Sequence, residues 1–108
     1  MSLSEKTCVP CRGGVPPLTA EEIKPLLAQL DHWTVKDGHH VEKDFVFPDF
    51  AKALAFVNKV GAIAEEQGHH PDIYLSYGKA SVKLWTHKID GLTEGDFIMA
   101  AKIDAMGR

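Results

Sequence analysis

The sequence predicts an α+β fold of two layers, with helices packed on one face of a four-stranded antiparallel sheet in the order α-β-β-α-β-β-α. Three apolar stripes with helical spacing indicate the helices. Two pairs of strand-like runs, each joined by a short turn that contains glycine, indicate β-hairpins. Because strands and helices do not alternate one by one, the hairpins favour an antiparallel sheet with the helices on one side.

The chain of 108 residues is long enough for one domain. Gly and Pro interrupt any periodicity in residues 1–17, which we expect to form an extended arm, whereas residues 18–107 carry the regular patterns of a folded domain. The arm contains Cys8-x-x-Cys11, which is half of a zinc ribbon and lies outside the strand-helix-strand context of a thioredoxin-like motif. The pattern therefore does not favour a metal or redox function for this pair and leaves its role open.

A capping box and an apolar stripe predict the first helix. Thr19 and Glu22 have the spacing at which side chain and backbone cap each other reciprocally. The stripe that follows comprises Ile23, Leu26, Leu27 and Leu30. Pro25 removes a helical hydrogen bond, so we expect the first turn of this helix to be irregular. The first hairpin comes next, because residues 33–36 and 41–47 are strand-like and flank an Asp-Gly turn.

The other two helices are also marked by their ends. Asp49 can cap a middle helix that runs to about Gln67, and Gly68 has the position of a residue just past a helix end. Thr93 can cap the last helix, with Asp96 at the capping-box position. The apolar side of the last helix comprises Phe97, Met99, Ala100, Ile103 and Met106.

The second hairpin predicts a meeting of two histidines. A type II′ turn at Gly78-Lys79 would join its strands. That turn pairs Tyr77 with Ala80, Leu75 with Val82, Ile73 with Leu84 and, further out, His70 with His87. Directly opposed residues lie on the same face of a sheet. We therefore expect the histidines on the face that points away from the helices, beside Trp85.

The chain has six histidines, and His69, His70 and His87 are the candidates for chemistry. Glu65 precedes His69 by four residues and reaches it if the helix turn persists. Imidazoles suit proton transfer near neutral pH. Three histidines could also bind zinc, but His69 and His70 should point in different directions and no H-x-x-x-H spacing is present. We therefore expect acid-base chemistry without a metal or another cofactor.

The remaining histidines and the composition suggest what the protein does not do. We interpret His39-His40 as a solvated feature after a hairpin turn and His32 as a helix-end residue. A net charge of -3 argues against a broad surface for nucleic acid. No apolar run is long enough to span a membrane and no secretory signal is visible, so we expect a cytoplasmic protein without membrane partners.

Three segments together resemble the pterin-4a-carbinolamine dehydratase family. They are Glu65-Glu66-Gln67-Gly68-His69-His70-Pro71-Asp72, Trp85-Thr86-His87 and Gly91-Leu92-Thr93-Glu94-Gly95-Asp96. Their order and spacing agree with the family, and the resemblance extends from about Leu18 to Ala105, including Trp33. The family's element order is the α-β-β-α-β-β-α order predicted above.

The resemblance implies dehydration of 4a-hydroxytetrahydropterin to quinonoid dihydropterin, which recycles the cofactor of phenylalanine hydroxylase. It implies a catalytic set of His69, His70, His87, Glu65 and Asp96, with Asp96 as a partner of His87. It implies a substrate-binding set of His69, His70, Pro71, Trp85, Thr86, His87, Lys88 and Ile89. It also implies a homodimer or homotetramer, and it leaves one alternative open, a non-catalytic dimerisation or transcriptional cofactor.

Overall fold

A computed structural model describes residues 3–6 and 16–106, and within them the predicted element order is confirmed. The helices are α1 (Ala20–Leu27), α2 (Phe50–Gln67) and α3 (Glu94–Met106), and the strands are β1 (Thr34–Lys36), β2 (His40–Val46), β3 (Asp72–Ser76) and β4 (Lys79–Leu84). The strands form one antiparallel sheet in the order β1-β2-β4-β3. The predicted Cys8-x-x-Cys11 lies outside the described residues. In the described parts of the chain, no helix is both long enough and apolar enough to cross a bilayer.

The two-layer arrangement follows from alternation in the central strands. Val41 and Phe45 of β2 and Val82 and Leu84 of β4 are buried, and they belong to one core with residues of all three helices. The intervening side chains of these strands are less buried and lie on the opposite face, called here the outer face. The sheet thus has one face under the helices and one open face, as predicted.

The predicted caps of α1 and α2 are present. Thr19 and Glu22 form both halves of the capping box. Pro25 lies within α1, but the helix is continuous from Ala20, so the expected irregular first turn is wrong. The carbonyl that Pro25 leaves without a helical partner belongs to the exposed Glu21, where water can satisfy it. Asp49 caps α2 by accepting a hydrogen bond from the Lys52 N–H at 2.8 Å.

More of the third helix is buried than the apolar side that the sequence predicts. Ile98 and Ala101 are buried as well as four of the five expected positions, and the fifth, Met106, is half-buried. The reason is a 3-10 helix, Leu3–Glu5, which packs on α3 with the Leu3 side chain in the core. Lys102 also donates a hydrogen bond to the Ser4 carbonyl at 2.9 Å.

A buried polar network fixes the C-terminal half of α3 to the sheet. The Lys43 ammonium, on the helix-facing side of β2, donates to Asp104 at 2.9 Å and to the Asp31 carbonyl at 2.6 Å. The Trp33 indole N–H also donates to the Asp104 carboxylate, at 3.0 Å. Lys43 lies 4.8 Å from the ring centre of Phe45, so its charge is compensated by a carboxylate and by aromatic surface.

The register of the second hairpin differs from the predicted one by two residues. Ser76 pairs with Lys79 and Ile73 with Val82, so the turn is Tyr77-Gly78 rather than Gly78-Lys79. Gly78 has φ +70° and occupies the second turn position, where a left-handed residue is required. A shift of two residues keeps every side chain on its predicted face, but it removes the predicted pairing of His70 with His87.

The loop after β4 packs closely against the segment before α1. A Cβ atom at Gly91 would lie 2.6 Å from the Cβ of Pro17, and the Leu18 N–H donates to the Leu92 carbonyl at 2.9 Å. We expect Gly91→Ala to lower the free energy of unfolding by about 1–3 kcal/mol, because the added methyl group has no space. Urea denaturation measures this change.

Gly61→Ala is the matched control for this substitution. No atom lies within 4 Å of a Cβ at Gly61, which is in the interior of α2. We expect this variant to be more stable by about 0.5–1 kcal/mol, because alanine favours helix more than glycine does. Equal shifts in the two variants would contradict the close packing at Gly91.

Candidate active site

A buried carboxylate joins three elements at one end of the sheet. Asp96, in the first turn of α3, has no exposed surface, and its Oδ1 lies 2.6 Å from Nε2 of His69. Its Oδ2 accepts hydrogen bonds from the Thr86 hydroxyl and from the Thr93 N–H, both at 2.9 Å. The bond to Thr93 is the Asp96 half of the predicted capping box; the Thr93 hydroxyl is bonded instead to the Thr86 hydroxyl, at 2.9 Å. The bonds to His69 and Thr86 connect the helix start to the ends of α2 and β4.

His69 reaches Asp96 because α2 ends just before it. Gly68 has φ +65°, and this left-handed residue turns the chain out of the helix. The His69 side chain is 13% exposed and lies between α2 and α3, where it contacts Asp96. With Nε2–H donating to the carboxylate, Nδ1 is the nitrogen of the neutral ring that can accept a proton.

Glu65 and Asp96 contact other histidines than those predicted. Glu65 pairs with His70, not with His69, and Asp96 pairs with His69, not with His87. The expected contact of Glu65 with His69 required the helix turn to continue, whereas Gly68 ends it. The side chains of the Glu65–His70 pair are 79% and 62% exposed, so this pair lies in solvent beside the buried one.

Trp85 and His87 form a second part of the candidate site. Their ring centres are 4.1 Å apart, and the Trp85 indole N–H donates to Asp72 at 3.3 Å. His87 is exposed and begins a short 3-10 helix, His87–Ile89. Thr86 is buried, Lys88 is exposed, and Pro71 and Ile89 are half-buried.

His39 also belongs to this part of the site, although we interpreted it as solvated. Its ring centre lies 4.5 Å from that of Trp85, and its Nε2 lies 2.8 Å from Oδ1 of Asp90. The signal that could have found it is the pairing of β2 with β4, in which Val41 opposes Leu84. This pairing puts the residues just before β2 beside those just after β4. His32, by contrast, is exposed and paired with Asp31, as expected for a residue outside the site.

The contacts leave the three candidate histidines in different settings. His69 is held by a buried carboxylate, His70 by an exposed one, and His87 by an aromatic ring. Within residues 3–6 and 16–106, no three His, Cys, Asp or Glu side chains lie close enough together to hold a metal ion. The arrangement provides imidazoles that can donate and accept protons, and an aromatic ring next to one of them, His87.

We expect Asp96→Ala to lower the free energy of unfolding by about 2–4 kcal/mol, because it removes the cap of α3 and leaves the Thr86 hydroxyl without its buried acceptor. Thermal or urea denaturation measures the loss, and the NMR signals of the His69 ring should move with it. Asp72→Ala is the control, since that exposed carboxylate accepts one hydrogen bond; we expect a change of about 0.5 kcal/mol or less. Similar losses in both variants would contradict the central place of Asp96.

His40 gives a test of the charges on the outer face. Burial lowers the pKa of His40 from its ordinary value of 6.5, and the positive charge of Lys83 lowers it further. The fold thus favours neutral His40, so the stability that this residue contributes is present above pH 6.5 and is lost as the pH falls through the lowered pKa. We expect Lys83→Gln to raise the pKa of His40, measured by NMR titration. Lys52→Gln, on α2, is the control, and an unchanged midpoint in Lys83→Gln would contradict the charge effect.

Residues 16–106 match the family model for pterin 4 alpha carbinolamine dehydratase. A Rubrobacter xylanophilus protein, provisionally named a pterin-4-alpha-carbinolamine dehydratase, is 57% identical over 104 residues, which cover 96% of this chain and 97% of that protein. A Rickettsia bellii protein with the same provisional name is 54% identical over 106 residues, which cover 97% of this chain and 94% of that protein.

Two solved structures have similar folds. A transcriptional coactivator/pterin dehydratase from Brucella melitensis has a TM-score of 0.79 and 35% identity, over 85% of this chain and 99% of that chain. A pterin dehydratase-like protein identified as a RuBisCO assembly factor in the alpha-carboxysome has a TM-score of 0.56 and 26% identity, over 69% of this chain and 86% of that chain. Since the family model spans almost the whole predicted domain and the relatives share over half of their residues with it, the chain belongs to the pterin 4 alpha carbinolamine dehydratase family.

Proposed function

We propose that the protein converts 4a-hydroxytetrahydropterin to quinonoid dihydropterin and water by histidine acid-base catalysis. The observation that carries this proposal is the buried Asp96 carboxylate, which contacts His69 just after α2 and the hydroxyl of Thr86, the residue before His87. Family membership supports the substrate class. An interaction module would not need a buried carboxylate directed at an imidazole.

The proposed reaction needs an acid and a base and no electron transfer. Hydroxide is a poor leaving group, so an imidazolium donates a proton to the 4a-hydroxyl as the C4a–O bond breaks and water leaves. A base accepts the proton from N5 while the C4a=N5 double bond forms. The protein gives one proton and receives one, so exchange with solvent restores it. Positioned side chains contribute about 10²–10⁴-fold to such steps.

We assign His69 and His87 to the side of the leaving hydroxyl and His70 to holding the pterin ring. The bond to Asp96 supports the role of His69, because it fixes the ring and leaves Nδ1 for proton transfer. Glu65 orients His70 in the same way on the exposed side. The proposed walls of the pterin site are Pro71, Trp85, Thr86, Lys88 and Ile89.

The proposed product is reduced again to the tetrahydropterin cofactor of an aromatic amino acid hydroxylase, and we propose phenylalanine hydroxylase as the functional partner. We also propose that the protein is a homodimer or homotetramer. In the described residues of this single chain, α2 exposes Phe50 and Leu54, which are 43% and 40% accessible. Such apolar side chains on one helix are typical of a surface that contacts another subunit.

A second candidate function is that of a non-catalytic dimerisation or transcriptional cofactor. We keep this candidate because the similar structure from Brucella melitensis is named a transcriptional coactivator/pterin dehydratase. The exposed apolar residues of α2 would serve this function as well as oligomerisation. The two functions differ in their need for the histidines, because a cofactor of this kind binds without proton transfer.

We expect His69→Ala, His70→Ala and His87→Ala each to lower the rate of 4a-hydroxytetrahydropterin dehydration, by roughly 10²-fold or more for a residue that transfers a proton. Stopped-flow absorbance measures the rate, and circular dichroism shows whether each variant is folded. His32→Asn is the matched control, since His32 is exposed and paired with Asp31 away from the site. Asparagine also accepts the left-handed φ of +64° at that position.

One outcome decides between the two functions, and another decides between metal-free and zinc catalysis. Wild-type rates in folded His69→Ala and His87→Ala would remove the acid-base assignment and favour the non-catalytic function. Activity that survives treatment with a chelator would support metal-free catalysis, whereas its loss and recovery with zinc would replace this mechanism with a zinc mechanism.

A further inference from the structure

The loop between β1 and β2 contributes a ring to the candidate site that the proposed reaction does not use. His39, Trp85 and His87 follow one another with ring centres 4.5 Å and 4.1 Å apart. His39 comes just before β2, while Trp85 and His87 follow β4. Trp85 is therefore in contact with a ring from another part of the chain as well as with the candidate catalytic histidine.

Both nitrogens of the His39 ring have partners, so the ring has a defined orientation. Nε2 lies 2.8 Å from Oδ1 of Asp90, and Nδ1 lies 3.1 Å from Nδ1 of His40. When Nε2–H donates to the carboxylate, Nδ1 of neutral His39 accepts from Nδ1–H of His40. A ring held at both edges loses its freedom to rotate, and it presents a fixed surface to Trp85.

Asp90 is placed for this contact by the backbone that follows His87. It ends the 3-10 helix His87–Ile89 with φ +52°, and its N–H donates to the His87 carbonyl at 3.3 Å. The His39–Asp90 pair thus connects the start of β2 to the turn that carries His87. The pair is 32% and 83% exposed, so its contribution to global stability should be small, and its effect should be local.

We propose that His39, oriented by Asp90, is a positioning residue that holds Trp85 against His87 and so fixes the part of the pterin site that these two residues form. The inference rests on the proposed function for its kinetic consequence. Its structural consequence, a Trp85 side chain whose environment depends on His39, does not require any substrate. Positioning of a reacting group by ångström-scale contacts has large effects on rate, which makes the kinetic consequence measurable.

The first test is the tryptophan emission of His39→Asn without substrate. The chain has two tryptophans, and Trp33 is buried against Phe45 and bonded to Asp104, away from His39. We expect a shift to longer wavelength, because Trp85 loses a ring that covers it. The shift should be absent in the Trp85→Leu background and in His32→Asn, which removes an imidazole from another Asp-paired site.

The second test is a double-mutant cycle on 4a-hydroxytetrahydropterin turnover. We expect His39→Asn to lower kcat/KM roughly tenfold, Asp90→Asn to lower it less, and His32→Asn to leave it unchanged. Because His39 acts through Trp85, the double variant His39→Asn/Trp85→Leu should have the kcat/KM of Trp85→Leu alone. A residue that only supports the fold would give additive effects.

The outcomes separate this inference from the proposed function. A wild-type protein that does not turn over the pterin overturns the proposed function and the positioning role together. An active wild type with an equally active His39→Asn overturns the positioning role and leaves the proposed function intact, and so do additive effects in the double variant. The positioning role is supported if His39→Asn shifts the tryptophan emission and lowers kcat/KM, and if it has no further effect on kcat/KM in the Trp85→Leu background.

Discussion

The Asp96 carboxylate is the contact on which the geometry of the site depends. It has no exposed surface, and a buried carboxylate is stable in a fold only when hydrogen bonds replace its lost water. Here the partners are Thr86, Thr93 and His69, which come from three different places in the chain. The same requirement that keeps the carboxylate satisfied therefore fixes the start of α3 and the ends of β4 and α2 relative to one another. The imidazole is thus positioned by a contact that the fold cannot easily lose.

The helix that carries Asp96 is fixed near its other end as well. Asp104 lies two turns further along α3. It accepts hydrogen bonds from Lys43, on the helix-facing side of β2, and from the indole N–H of Trp33, the residue before β1. The Lys43 side chain is only 6% exposed, so removing Asp104 would leave a buried charge without its partner. With a polar contact near each end and apolar contacts between, α3 has little freedom to slide or rotate. The position of the carboxylate at Asp96 is therefore set by the whole helix and not by its first turn alone.

What the sequence could predict depended on how local the signal was. The caps of α1 and α2, the strand alternation and the order of elements depend on neighbouring residues, and the structure confirms them. The partners of the histidines depend on geometry beyond the neighbourhood. The expected contact between Glu65 and His69 assumed a continuing helix, and one left-handed glycine, Gly68, redirected His69 toward α3. His39 was missed because it reaches Trp85 through the pairing of β2 with β4, and these strands are separated in the chain by α2 and β3.

The carboxylates of the site differ in burial, so substitutions of them affect folding and function to different extents. Asp96 is buried and makes three hydrogen bonds, so its loss affects the fold first. Glu65 and Asp90 are 79% and 83% exposed, and exposed ion pairs contribute little to stability because water competes for both partners. Their pairing with His70 and His39 can still favour one ring orientation over others. A substitution at either position should therefore leave a folded protein whose imidazoles are less ordered, so these pairs can be varied to test function without the fold being lost.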